Sequence, residues 1–216
     1  MRRGVLAKAA SKRLRYGRSR ERRRRGAILL MAGLVVLAFL LLVMPLLLEV
    51  QDTVRRFTHP LLYEETIRAA AVENGVEPAL VAAVIWTESR FDEEVRSSRG
   101  AYGLMQILPE TARFISERGG AGGDYRDPET NIRMGTWYLG YLQYRYEGDE
   151  RLALAAYNSG EGQVDDWISE SGFDVARDIP FEETREYVED VLEARETYAE
   201  LYGRELNRSP DTAPNP

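Results

Sequence analysis

The sequence predicts a mainly α-helical domain behind one membrane-spanning helix, and three observations lead there. Apolar residues recur at helical spacing after residue 60, no convincing alternating strand pattern occurs, and residues 27–48 are 22 consecutive residues without a charge. As a helix this run is about 33 Å long, enough for a hydrocarbon core of about 30 Å. Residues 1–26 carry twelve Lys or Arg against one acid, whereas the rest of the chain carries 17 against 34, a split hidden in the net charge of −6. A basic flank before an apolar span predicts a cytoplasmic N-terminus, a single pass and everything after residue 48 outside. A cleaved signal peptide has an apolar region of about 7–15 residues and a small-residue site. Leu46, Leu47, Leu48 and Glu49 offer no such site, so the span reads as a retained anchor. Pro45 is expected to kink or end it. The run Arg22 to Arg25 also fits nucleic-acid binding. The neighbouring span makes topology signalling or contact with anionic lipid more economical, so no nucleic-acid partner is expected.

Residues 49–60 read as a short polar connector and residues 61–203 as the folded domain. Leu61 to Asn74 is an amphipathic helix with Ile67, Ala70 and Ala71 inward, stopped by Asn74-Gly75. Pro78 suits a first helical position, and Leu80, Val81, Val84 and Ile85 then mark one apolar stripe. Glu88 is the next position on that stripe. Ser97, Gly100, Ala101 and Gly103 form a small-residue loop where backbone can come close to a ligand. Leu104 to Ile107 packs back beneath it, with a small hairpin around Ala101 to Ile107. Pro109 begins a third helix carrying Thr111, Ala112 and Ile115, and Gly119 to Gly123 reads as a mobile loop. Asp127-Pro128 opens a long helix with Ile132, Gly135, Tyr138, Leu139 and Leu142 at core spacing. A short helix over Arg151 to Tyr157 ends at Asn158-Ser159-Gly160, another spans Val164 to Ile168, and Pro180 opens a last one to about Gly203. Tyr187, Val191, Tyr198 and Leu201 are among its apolar positions. Residues 204–216 read as a disordered tail, Pro-rich from Ser209 on.

The chain has no Cys and a single His, His59, which excludes disulfides, thiol chemistry, thiolate metal sites, lipidated cysteine anchors and histidine clusters. Carboxylates, amides and hydroxyls remain. A carboxyl on the buried side of a helix is costly to ionise, so Glu88 should titrate above the ~4.3 of a free Glu. A general acid needs that near neutral pH. The other reading is that Glu88 ends the helix and reaches solvent.

Glu88-Ser89, Ser97 to Ala101, Gly103-Leu104-Met105-Gln106, Ala156-Tyr157-Asn158-Ser159-Gly160 and Glu183-Thr184-Arg185-Glu186-Tyr187-Val188 follow in order. Together they resemble the soluble lytic transglycosylase domain, a lysozyme-like family acting on peptidoglycan, over roughly residues 63–192. The resemblance implies a mainly α, α+β lysozyme-like fold and one carboxyl doing both proton transfers. Glu88 would protonate the oxygen between N-acetylmuramic acid and N-acetylglucosamine. As the carboxylate it would then deprotonate the muramoyl C6 hydroxyl, which attacks the anomeric carbon to leave a 1,6-anhydro end. A tethered hydroxyl reacts at high effective molarity, so no second carboxylate is required. A hydrolase places one about 5–5.5 or 6.5–9.5 Å from the acid. Asp92, Glu93 and Glu94 are the nearby acids, and none occupies a motif position.

The resemblance also makes Tyr187 the residue that holds Glu88 by a hydrogen bond; a core tyrosine is the plainer alternative. Gln106 and Asn158 would present amides to N-acetyl and hydroxyl groups, against the alternative of fastening loops. Tyr157 would line the cleft or simply pack, and Ser97 and Met105 are supporting candidates that also suit architectural roles. Tyr102 stands where the family often has a small residue, which would alter the cleft floor. Tyr138, Tyr141, Tyr144 and Tyr146 fit core and surface packing better than sugar stacking. No cofactor or metal is implied. The expected partners are peptidoglycan glycan strands and membrane lipid, with any wall-synthesis or division protein unspecified. Two further readings stay open: a goose-type-lysozyme-like hydrolase, and a non-catalytic wall-binding module, in which nothing would demand the acid.

Overall fold

Helix starts fall where local capping chemistry puts them. In the computed structural model, which describes residues 2–208, the helices are α1 (Arg2–Thr58), α2 (Glu64–Asn74), α3 (Pro78–Ser89), α4 (Pro109–Glu117), α5 (Pro128–Arg145), α6 (Glu150–Ser159), α7 (Glu161–Ser169) and α8 (Glu182–Leu206). Side-chain surroundings are described from residue 26 on, except at 27 and 45. The tail residues 209–216 and the side chains of the basic run therefore lie outside the described residues. Asp127 accepts from the Thr130 amide at 2.9 Å at the start of α5, and Asp149 accepts from the Leu152 amide at 3.1 Å at the start of α6. Gly75, at φ 66°, closes α2 by donating to the Ala71 carbonyl.

The chain divides into two compact units, Met1–Val54 and Arg55–Pro216. From Ile28 to Leu48 the described residues of α1 are apolar and largely exposed, and the stretch Ile28–Thr58 contains an 18-residue window of mean hydropathy 2.9, long and apolar enough to cross a membrane. The helix does not end near Pro45, and the expected connector 49–60 is helical to Thr58. No Gly or Pro interrupts that stretch before Pro60. Within the second unit Arg55 pairs with Glu200 at 2.8 Å and Arg56 donates to the Leu201 carbonyl, which fixes this helical end.

In the second unit α3 is the centre. It packs along α8, with α2 beside it and α5, α6 and α7 completing the bundle. Ala79 through Ile85 are all buried, so the helix is apolar on every face, where the sequence suggested a single stripe. Burial of Leu80, Val81, Val84 and Ile85 stabilises the fold by about 1.5–3 kcal/mol each. On α8, Thr184, Tyr187, Val188, Val191, Ala194, Tyr198 and Leu201 are buried at spacings of three and four. Other boundaries moved: α7 already begins at Glu161, and α8 runs on to a buried Leu206, so residues 204–206 belong to the helix and not to the expected tail. Tyr63 takes φ 57°, so α2 starts after it. Pro180 stays outside α8, its carbonyl and that of Ile179 accepting from Arg185. Among the described residues there is no strand. The expected hairpin is two isolated bridges, Arg96 with Tyr102 and Tyr102 with Ile107.

The segment between α3 and α4 is held from three helices at once. From α3, Ser89 donates to the Leu104 carbonyl at 2.8 Å. From α5, Asn131 accepts from the Met105 amide (2.8 Å) and donates to the carbonyls of Tyr102 (2.9 Å) and Tyr125 (2.8 Å). From α6, the Tyr157 hydroxyl donates to the Met105 carbonyl at 2.9 Å. Asn131 is fully buried, and at Gly103 (φ 79°) a Cβ would sit 2.8 Å from its Nδ2, so only glycine fits. The glycine run after α4 also has one packed member: a Cβ on Gly120 would fall 2.4 Å from Ile115 Cγ2.

Asn131→Ala strands a buried amide and two part-buried carbonyls. It is expected to cost about 2–4 kcal/mol in urea unfolding, where a surface substitution such as Arg133→Ala stays within about 0.5 kcal/mol.

Candidate active site

α3 can bring a polar group to its surroundings only where it emerges from the core. Glu88 stands there, in the last turn, half-buried. Its pKa is raised from 4.5 to about 7, chiefly because burial penalises the carboxylate; the Tyr187 hydroxyl, which favours the carboxylate, works against this. No second carboxylate is among the groups that act on it. Burial and the proximity of Glu88 also push the Tyr187 and Tyr157 phenols well above their ordinary value. The three side chains therefore form one cluster, contributed by α3, α6 and α8.

Tyr187 is 8% exposed, and its hydroxyl is the one buried side-chain polar atom among the described residues without a formed hydrogen bond. It senses Glu88 without closing a bond of normal geometry to it. An orphaned buried hydroxyl is costly in an ordinary core and suits a site that completes its bonding with a ligand.

The other sequence candidates are placed as follows. Gln106 donates its amide to the carbonyls of Val95 (3.1 Å) and Gly103 (2.8 Å), so it does fasten the loop, at the unusual φ of 48°. Asn158 accepts from the Thr184 hydroxyl at 2.8 Å. Tyr157 is half-buried, with its hydroxyl committed to Met105. Ser97 is exposed and accepts from the amides of Arg99 (3.2 Å) and Ala101 (3.0 Å), which shapes the loop. Met105 is fully buried and packs against α5 at Gly135 and Thr136, so only its backbone faces the loop network. Asp92 and Glu94 are tied to each other in a tight turn, and Glu93 accepts from Tyr63; all three acids are exposed. Tyr146 is buried, Tyr138 and Tyr141 stack with centroids 6.1 Å apart, and Tyr144 is 88% exposed. His59 packs against Trp86 at 4.8 Å. Among the described residues no three His, Asp or Glu side chains are grouped to hold a metal.

Three supporting residues fall outside the sequence expectations. Ser89 and Thr184 lie inside the motifs, beside Glu88 and Tyr187, where the pattern gives them no separate signal. Asn131 carries no local signal, because the two of its three partners that tie it to the loop are 26 and 29 residues away in sequence. A surface groove of about 870 Å³ between α2 and α5 is lined by Tyr141 and Tyr144 but by none of Glu88, Tyr157 and Tyr187, so cavity size does not locate the site.

The family model described as "Transglycosylase SLT domain" matches residues 65–179. The soluble lytic murein transglycosylase of Escherichia coli K12 is 36% identical over 143 residues, covering 62% of this chain and 22% of that protein. Membrane-bound lytic murein transglycosylase C of Serratia proteamaculans is 39% identical over 115 residues, covering 47% of this chain and 32% of that one. Among solved structures, an inactive mutant of the lytic transglycosylase Slt from Pseudomonas aeruginosa superposes with a TM-score of 0.64 at 32% identity, covering 68% of this chain and 25% of that chain. The chain thus spans about a quarter to a third of the length of these relatives.

The Glu88 shift has a stability consequence. The folded-state pKa of about 7 lies above the ordinary 4.5, so between these values the native state holds a proton that the unfolded state has lost. Stability from this group is full below pH 4.5 and is lost as pH rises through about 7. Glu88→Gln removes that dependence. The variant is expected to gain up to about 3 kcal/mol on the wild type between pH 4.5 and pH 8 in urea unfolding; a constant difference contradicts the shift.

Proposed function

Since the chain belongs to the transglycosylase SLT domain family, we propose that it is a membrane-anchored lytic transglycosylase of peptidoglycan, with Glu88 as its single acid and base. The observation that carries the reading is a half-buried carboxyl raised to about 7, with two tyrosines on it and no second carboxylate acting on it. At neutral pH a large fraction of Glu88 holds a proton, which it delivers to the glycosidic oxygen between N-acetylmuramic acid and N-acetylglucosamine as that bond breaks. The carboxylate so formed is stabilised by the Tyr187 hydroxyl. It then takes the proton of the muramoyl C6 hydroxyl as that oxygen bonds to the anomeric carbon. Glu88 ends as it began, the product is a 1,6-anhydromuramoyl end, and no water is consumed. The tethered nucleophile replaces the second carboxylate of a hydrolase.

Gln106 and Asn158 bind the glycan through the amide ends their internal bonds leave over. Tyr157, Ser97 and Met105 act through the loop they hold. Residues 61–203 carry the activity and residues 27–48 the anchor, with the basic N-terminus cytoplasmic and the domain facing the wall. The exposed apolar helix and the likeness to membrane-bound relatives support the membrane association.

The test is a digest of purified peptidoglycan by the full chain in detergent, read by mass spectrometry. Anhydromuramoyl products are expected, falling at least about a hundredfold in Glu88→Gln. Hydrated reducing ends would make the protein a hydrolase, and binding without cleavage would make it a wall-binding module.

A further inference from the structure

Two amides at the candidate site each have one end committed, and the commitments run in opposite senses. Gln106 uses both amide protons on the carbonyls of Val95 and Gly103, so Oε1, an acceptor, is the end left for a ligand. Asn158 has its Oδ1 engaged by the Thr184 hydroxyl at 2.8 Å, so its NH₂, a donor, is the end left. Thr184 is 2% exposed, which keeps water from competing for that bond. It lies one turn before Tyr187 on the buried face of α8, and Asn158 follows Tyr157 on α6. The pair therefore adjoins, along α6 and α8, the two tyrosines whose phenols the Glu88 carboxyl raises.

We propose that Thr184 is a positioning residue: by engaging the Asn158 carbonyl it fixes that amide as a donor, and the site thereby selects 2-acetamido sugars over their de-N-acetylated forms. An acetamido group carries one N–H donor and one C=O acceptor, the complement of Gln106 Oε1 and the Asn158 NH₂. A free sugar amine at mildly acidic pH is an ammonium, with donors only. It satisfies Gln106 and leaves the Asn158 NH₂ unmatched. Without the Thr184 hydroxyl the Asn158 amide turns over, presents its carbonyl as readily as its NH₂, and takes either sugar. The inference deepens the glycan-cleaving reading and rests on it for the identity of the ligand.

The experiment measures binding of penta-N-acetylchitopentaose and of its fully de-N-acetylated counterpart to the full chain in detergent, at one ionic strength and one mildly acidic pH that keeps the free amines protonated. Wild type, Thr184→Val, Thr184→Ala and Thr184→Ser are compared, and peptidoglycan cleavage is followed in the same samples. All the substitutions are uncharged, so attraction of the cationic oligomer to this acidic domain cancels in the comparison. The ratio of acetylated to de-N-acetylated affinity is expected to fall about fivefold in the Val and Ala variants, the scale of one neutral hydrogen bond. Thr184→Ser, which keeps the hydroxyl, is expected to stay within about twofold. If Val fails to fold, Ala and Ser carry the comparison. An unchanged ratio in Val and Ala overturns the inference, as does equal weakening toward both oligomers, the mark of a purely structural role. Wild-type protein that binds neither oligomer overturns it too. A wild type that shows the pattern without cleaving peptidoglycan overturns the enzymatic reading and leaves Thr184 its role.

Discussion

A helix that is apolar on every face can offer chemistry only at its ends. That constraint governs this domain. α3 is buried from Ala79 through Ile85, and Glu88 is the carboxyl in the turn where the helix emerges. Ionising it there costs more than ionising it in water, and the protein does not neutralise the cost with a cation. No Arg or Lys is among the groups that act on Glu88; the only group that favours its carboxylate is the Tyr187 hydroxyl. The carboxyl is thereby poised between its two forms near neutrality, as a group that must first give and then take a proton requires.

Poise is useful only if the surroundings hold still. The segment after α3 has little regular structure, yet Leu104 and Met105 are fastened by side chains from α3, α5 and α6. The polar groups doing this are buried and paired, which makes the arrangement stiff and intolerant of partial loss. Strain collects in the same region. Arg90 and Phe91 take φ of 55° and 65° directly after the helix carrying Glu88, and Gln106 takes 48°. Non-glycine residues adopt such angles only where the surroundings over-determine them.

The sequence made legible whatever was local. Pro78, Pro109 and the Asp127-Pro128 pair marked helix starts because capping needs only neighbours. The ordered motifs brought Glu88, Tyr157, Asn158 and Tyr187 to attention. What it hid was non-local. The connector after the apolar span looked free to unwind, yet its last turn is fixed by Glu200 and the Leu201 carbonyl far along the chain. The α3 pattern looked one-sided because periodicity cannot report how many helices surround it. Asn131 looked like any polar residue in a helix, and Met105, which its motif had marked for the site, is core. Gln106 was legible as an amide inside one of the ordered motifs. That both its protons are spent on the loop could be read only from the fold.

Burial holds Glu88 near neutrality, and Tyr187 steadies its carboxylate. Carbon-13 NMR titration of the Glu88 side-chain carboxyl, assigned by difference from Glu88→Gln, measures this directly in the wild type and in Tyr187→Phe. A midpoint of about 7 is expected in the wild type and a higher one in Tyr187→Phe. A wild-type midpoint near the ordinary 4.5, or a midpoint that falls when the hydroxyl is removed, would contradict it.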